Sequence, residues 1–319
     1  MLSDALGSAT AGVISRLITH PLDTAKARLQ STELPKAGTT TNGLNVSYRG
    51  PLDVLRQTYH VEGIRGLYRG FDAILIGGTP GTMIYLCSYE LIKKKMQANS
   101  IGEEENFVTH FSAGILAETL ACLIYVPVDV VKERLQVQTI LNESDKLSAR
   151  TGHCNTKSFH YRNSWDALKQ IVSKEGLSQG IYKGYGATLA SFGPFSALYF
   201  VSYEQFKHFA KEVTETSKNE DLPLTALVLS SASAGAIASW ITSPLDLAKL
   251  RLQIQRGGVT QTNLTYNGMW HCLRHTYTKS GVQGLFRGAG ARVLHFAPAM
   301  TITMTCYEKC RSFYSKHLS

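Results

Sequence analysis

Three aspartates and three lysines stand at one repeated spacing in this chain. Asp23 precedes Lys26 by three residues, as Asp129 precedes Lys132 and Asp246 precedes Lys249, and a glutamine follows each aspartate by seven: Gln30, Gln136 and Gln253. Offsets of 0, 3 and 7 share one face of a helix, so each copy lines up a carboxylate, an ammonium and an amide. One decapeptide carries the set each time, starting at Pro21, Pro127 and Pro244, at intervals of roughly 105–120 residues, which marks three copies of one unit. The chemistry such faces offer is ion pairing. In threefold symmetry each aspartate meets a neighbouring copy's lysine, as Asp23–Lys132, Asp129–Lys249 and Asp246–Lys26, with the glutamines as braces. A single copy would read as a solvated surface pair, but three in register with Pro and Gln do not.

These faces need helices to carry them. Six apolar segments of about 20 residues, the length that spans a bilayer, lie at 5–20, 71–89, 108–126, 185–203, 224–243 and 289–307. The odd segments run into the decapeptides, whose proline marks a kink in a helix that otherwise continues. The even segments keep register, with ten residues from Gly70, Gly184 and Gly288 to Pro80, Pro194 and Pro298, and nine more to Tyr89, Tyr203 and Tyr307. Each tyrosine opens a second charged set: Glu90 and Lys93, Glu204 and Lys207, Glu308 and Arg311. Charges at membrane depth are costly unless paired or hydrated, so the segments require a wet interior. Two acid–base rings at opposite ends of one cavity form two gates, and alternate closure is alternating access. Between odd and even segments lie a polar loop at 31–47, an amphipathic stretch at 50–60 and the longest polar insertion, 139–161, which reads as a surface loop.

The 319 residues carry a net charge of +9, with a mean hydropathy of −0.08 that averages polar connections against apolar segments. The charge favours an anionic partner, and without a nucleic-acid motif, lipid and solute come first. Lys and Arg in the odd-to-even connections assign these to the inner compartment. The six cysteines lack CxxC spacing and read as packing residues. The cysteine and histidine groups His153, Cys154, His160 and His271, Cys272, His275 lack metal-site spacing, and no metal is expected. No presequence is visible, so targeting is internal. No nucleophile–base pair or nucleotide loop suggests an enzyme.

The chain resembles the mitochondrial carrier family, whose signature Px[DE]xx[KR]x[KR] followed by [DE]Gx4[FYW][KR]G it writes three times. The first half is intact in every copy. The second departs at Ser280, where an acid stands in the others, and by one extra residue before Tyr182. The resemblance implies an all-α membrane protein of six transmembrane helices, in three pseudo-symmetric two-helix repeats (1–100, 101–215 and 216–319) around a central cavity, with short amphipathic matrix helices. It implies a matrix gate of the Asp, Lys and Gln residues above and a cytoplasmic gate of the Tyr, Glu and Lys/Arg sets. No cofactor is implied beyond structural cardiolipin, held at Gly70, Gly184 and Gly288, where helix N-termini suit phosphate. Solute contacts fall at Gly77, Gly78, Ser191, Phe192 and His295, joined by the buried-depth charges Arg16, Glu118 and Arg292. Arg16 and Arg292 suit a carboxylate or phosphate and Glu118 an amine, or else these charges pair with one another or with backbone carbonyls. Expected is a monomeric inner-membrane antiporter, with a peroxisomal setting the lesser alternative. The solute is a small amphoteric or anionic metabolite, with a likeness to S-adenosylmethionine carriers. The alternatives are a metal-ion carrier and a non-transporting adaptor.

Overall fold

The computed structural model describes residues 2–32, 48–98, 107–150, 160–213, 223–255, 266–296, 298–299 and 301–302, and these are helical apart from short turns. In order, α1 spans Leu2–Ser31, α2 Pro51–Leu67, α3 Phe71–Ala98, α4 Phe107–Arg150, α5 Ser164–Gly176, α6 Tyr185–Val213, α7 Leu224–Ile241, α8 Ser243–Ile254 and α9 Met269–Leu285. A tenth, α10, covers 289–296 and continues at 298–299 and 301–302. The order long, short, long recurs three times, with α7 and α8 together matching α1 and α4. The long helices α3 and α4 pack along each other, as do α6 and α7. Ser15 of α1 donates to the Ala299 carbonyl at 3.0 Å, and the His295 ring meets the Thr19 carbonyl at 3.3 Å, so the last long helix returns to the first.

The prolines act differently in the three copies. A helix proline leaves the carbonyl four residues earlier without its donor. For Pro21 that carbonyl is Leu17, for Pro127 it is Leu123, and the Tyr68 and Tyr182 hydroxyls donate to them, each at 3.1 Å. With the orphan satisfied, α1 and α4 run through their prolines. The third copy has Phe286 at the tyrosine position, which has no hydroxyl to offer. There the helix breaks at Thr242, whose backbone N–H bonds back to the Ala238 and Trp240 carbonyls. The expected continuation of the helix through the proline therefore holds for two copies and not for the third.

The short helices end alike. Gly63, Gly176 and Gly281, of the acid–Gly or Ser–Gly step, adopt φ of 68°, 78° and 63°. The extra residue before Tyr182 is absorbed as one π-turn, Leu177–Ile181, closed by the Tyr182 N–H on the Leu177 carbonyl at 3.0 Å. Asn163 caps α5 by accepting from the Asp166 N–H at 2.8 Å, while the Arg162 N–H donates to the Asp166 carboxylate at 3.0 Å. Backbone and amide donors of this kind hold the Asp53 and Asp166 carboxyls below their usual range.

The supposed surface loop at 139–161 is a helix as far as Arg150, because its Leu, Glu, Lys and Ala content continues α4. Residues 151–159, with Cys154, lie outside the described residues. Two described helices are long and apolar enough to cross a membrane by length and composition, Ser112–Thr139 and Leu224–Ile241, with mean hydropathies of 1.8 and 1.6. Charged and polar residues such as Arg16 and His20 dilute the apolar content of α1. Polarity is nevertheless inverted. Val13, Ile14, Leu17 and Ile18 are exposed on α1 while Ser15, Thr19 and His20 are buried, and α7 exposes Ile237, Trp240 and Ile241 while burying Ser231 and Ser239.

Candidate functional site

The six charges of the decapeptides close into a ring. Lys132 meets Asp23, Lys249 meets Asp129 and Lys26 meets Asp246, each at 2.7 Å. These side chains are 13–26% exposed, enough shelter for the pairing to matter and for its loss to strand a charge. The amide of Gln30 donates to Asp246 at 3.2 Å, and that of Gln136 to Asp23 at 3.3 Å and Thr24 at 3.2 Å. Gln253 breaks the pattern by donating to Thr188 at 3.4 Å. Just beyond the ring, Ala27, Val137, Leu250 and Ile254 form a buried apolar plug from α1, α4 and α8.

A second layer, which the spacing of acids and bases did not reveal as a site, stitches the units in a cycle. Arg28 donates through Nε to the Gln136 carbonyl at 3.0 Å, Arg134 to the Gln253 carbonyl at 3.0 Å and Arg251 to the Gln30 carbonyl at 3.2 Å. Gly70, Gly184 and Gly288, with φ of 77°, 84° and 82°, press on the same segments. A Cβ on Gly70 would lie 3.1 Å from the Lys132 backbone, and one on Gly184 or Gly288 would lie 2.8 Å from Gln253 or Gln30 respectively. These glycines permit a left-handed turn and a close approach at once. The motif letters identified them only as lipid-contact candidates.

Glu133 was also missed. It is 7% exposed, its Oε2 has no hydrogen-bond partner, and it stands where the other copies have Ala27 and Leu250. Alignment of the three copies was the available signal.

Of the expected solute contacts, Arg292 is engaged in the ring. Its Nε lies 3.6 Å from Asp246, its Nη1 donates to the Ser239 carbonyl at 3.2 Å and to Thr242 at 3.0 Å, and the guanidinium sits 5.4 Å over the Phe195 ring. Arg16 and Glu118 differ. Arg16 lies against Gly78, whose missing side chain leaves room for its guanidinium, and it has no ionic partner among the described residues. Among the described residues Glu118 accepts only the Cys122 thiol, at 3.6 Å. Gly77 leaves room for Val128, and the Ser191 hydroxyl donates to the Ala187 carbonyl at 2.7 Å. Phe192 is half-buried. Phe195, Tyr199 and Phe296 form an aromatic cluster, with the Tyr199 and Ser231 hydroxyls 2.8 Å apart.

At the far end of the even helices no comparable ring forms among the described residues. Glu204 meets Lys207 at 4.0 Å along one helix, Glu90 is exposed and Lys93 half-buried, and Tyr89 and Tyr203 stack on Tyr85 and Tyr199. Tyr307, Glu308 and Arg311 lie outside the described residues. No group of three or more His, Cys, Asp or Glu suited to a metal occurs among those described.

A ring written three times and closed between copies meets its match in the comparisons with known proteins. The family model for mitochondrial carrier proteins matches residues 1–100, 103–213 and 220–318. The chain belongs to the mitochondrial carrier family. Among relatives of this carrier, mitochondrial substrate carrier family protein E of Dictyostelium discoideum is 33% identical over 97% of this chain and 95% of its own length. The mitochondrial aspartate-glutamate transporter AGC1 of Saccharomyces cerevisiae is 32% identical over 97% of this chain but 31% of its own length. Mitoferrin-1 of Danio rerio is 28% identical, covering 98% and 84% respectively. The carrier is thus a transporter by family, and its relatives bear names of differing solutes.

Proposed function

We propose that this carrier exchanges a small amphoteric metabolite across the mitochondrial inner membrane by alternating access. The observation that carries the solute class is the pair Arg16 and Glu118, two charges of opposite sign with no ionic partner among the described residues. A solute bearing both a carboxylate and an amine complements them, and leaving either charge unmatched at this depth is costly. Arg292 belongs to the gate under this reading, because Asp246, Thr242 and Phe195 already occupy its guanidinium. The relatives' names support the class, since one is an aspartate-glutamate transporter and another, from zebrafish, a glutathione transporter. S-Adenosylmethionine is a further solute of the same charge pattern.

In this cycle six spanning helices surround the solute path. The Asp–Lys ring is the matrix gate, closed here by its 2.7 Å pairs. The Tyr–Glu–Lys/Arg sets are the cytoplasmic gate, and its described members form no ring. Solute entering from the cytoplasmic side engages Arg16 and Glu118, and its binding energy offsets the breaking of the matrix pairs while the cytoplasmic set closes. Cardiolipin phosphates sit at the N-termini of α3, α6 and α10, beside Gly70, Gly184 and Gly288.

The test is a thermal-shift screen of detergent-purified protein across amino acids, adenosyl compounds, carboxylates, nucleotides and divalent cations. An amphoteric compound raises the melting temperature by mass action, and R16Q or E118Q abolishes the rise. A response to carboxylates that survives E118Q would reject the amphoteric class. Silence from every compound, with no uptake into liposomes, would favour an adaptor that does not transport.

A further inference from the structure

Arg28, Arg134 and Arg251 each stand five residues after the ring aspartate, and each spends its Nε on the next copy's glutamine carbonyl. The rest of the guanidinium fork differs. Arg28 donates through Nη1 to Thr58 at 3.1 Å and pairs through Nη2 with Glu62 at 2.6 Å, a carboxylate that also holds Arg69 at 3.2 Å. Arg134 grips Glu175 through both terminal nitrogens, at 2.7 and 2.9 Å. Arg251 donates through Nη1 to Thr276 at 3.0 Å, matching Thr58, but no carboxylate pairs with it among the described residues. Arg251 is 8% exposed, so its charge is sheltered without an anion.

The gap has an address. Glu62 follows Thr58 by four residues, and Ser280 follows Thr276 by four. The backbones match, with Gly63 at φ 68° and Gly281 at φ 63° just after. A Cβ built on Gly66 would strike the Glu62 Cβ, and one on Gly284 would lie 2.5 Å from the Ser280 Cβ. Ser280 therefore starts from the place of the acid and ends two bonds short of where a carboxylate oxygen would be.

We propose that a phosphate group fills this gap, either esterified to the Ser280 Oγ or bound free from solution. A phosphoseryl group places its terminal oxygens three bonds from Cβ, as glutamate does, and offers more charge and more acceptors to the guanidinium. Esterification takes a protein kinase and a nucleoside triphosphate. The Oγ–P bond forms, the terminal phosphoanhydride bond breaks to release the diphosphate, and the hydroxyl proton passes to the kinase's base. Ser280 is half-buried, beside exposed Lys279 and beside Gly281, around which a Cβ would meet nothing within 4 Å. Phosphate there ties α9 to α8 as Glu62 ties α2 to α1 and Glu175 ties α5 to α4. It would latch the third unit in the closed-ring state.

The test reads thermal stability of the full chain in detergent with no solute present, so it does not depend on the solute class. Wild type, S280E, R251Q and protein carrying phosphoserine at position 280 are melted in sodium chloride and in sodium phosphate at matched ionic strength. S280E and the phosphoserine form are expected to melt about 2–4 °C above wild type in chloride. If the source is free anion, phosphate raises wild type and leaves S280E and R251Q unmoved. If the source is the ester, phosphate leaves wild type unmoved and the phosphoserine form still melts above it. Where neither phosphate nor phosphoserine raises the midpoint, the site does not exist. A phosphate response that persists in S280E, whose carboxylate already fills the gap, also overturns it, even if R251Q does not fold.

Discussion

Asp129 and Lys249 illustrate how much a single residue decides when six charges share one shelter. Their 2.7 Å pair is the most open of the three on its acid side, at 26% exposed, yet among the described residues neither partner has a second counter-ion within salt-bridge distance. Reversing one, in D129K, opposes two ammonium groups, costs about 3–5 kcal/mol of stability and stops exchange. The double variant D129K/K249D is expected to recover part of the melting temperature and part of the liposome exchange. No recovery on either measure would rule out this pairing. Glu133 makes the opposite case. Its carboxylate is buried with Oε2 unsatisfied, where the third copy places Leu250 in the apolar plug. E133L, which copies that leucine, is expected to raise the melting midpoint by a few degrees; a fall would mean that the carboxylate has a structural role.

At the scale of the helices, the tyrosine after each of the first two short helices and the proline of the preceding long helix form one device. Tyr68 and Tyr182 donate to the carbonyls that Pro21 and Pro127 leave open. Y68F or Y182F removes one such bond and is expected to cost about 1 kcal/mol in thermal melts. F286Y is expected to be neutral, because Thr242 already bonds to the Trp240 carbonyl in the third unit. No loss in Y68F and Y182F, or a gain of the same size in F286Y, would contradict this division of labour. The device also explains why α7 and α8 are separate while α1 and α4 are not. From the proline alone the three copies look alike; the residue that decides the outcome lies more than 40 residues downstream and reaches the carbonyl only through the fold.

For the whole molecule, the cyclic contacts are what join three units into one body. Each unit's turn glycine presses on the next unit's ring segment, 1 onto 2, 2 onto 3 and 3 onto 1. G184A forces an L-residue into φ 84° and a Cβ against Gln253, and is expected to lower the midpoint by several degrees. G186A, two residues on with nothing within 4 Å of its Cβ, serves as the control and is expected to be neutral or mildly stabilising. Equal effects of the two would deny that the turn joins the units. The same cycle ties each ring segment to the next, since each arginine donates to the neighbouring copy's glutamine carbonyl.

Repetition made the site legible before any coordinates. Helical offsets of 3 and 7 are local geometry, and threefold recurrence leaves two cyclic ways for Asp23, Asp129 and Asp246 to meet a lysine of a neighbouring copy, so the sequence by itself determined the faces and the ring, and the fold bears out the direction of pairing expected from it. It also exposed the departures at Ser280 and before Tyr182. What a departure does depends on which backbones come close, and only the tertiary structure decided that. It turned the extra residue into a π-turn, buried Glu133 and, among the described residues, left Arg251 without a carboxylate. It drew Arg292 to Asp246 and, among the described residues, left Arg16 and Glu118 without ionic partners. Burial and ion pairing are set by distances between helices far apart in the chain, and no local periodicity encodes those distances.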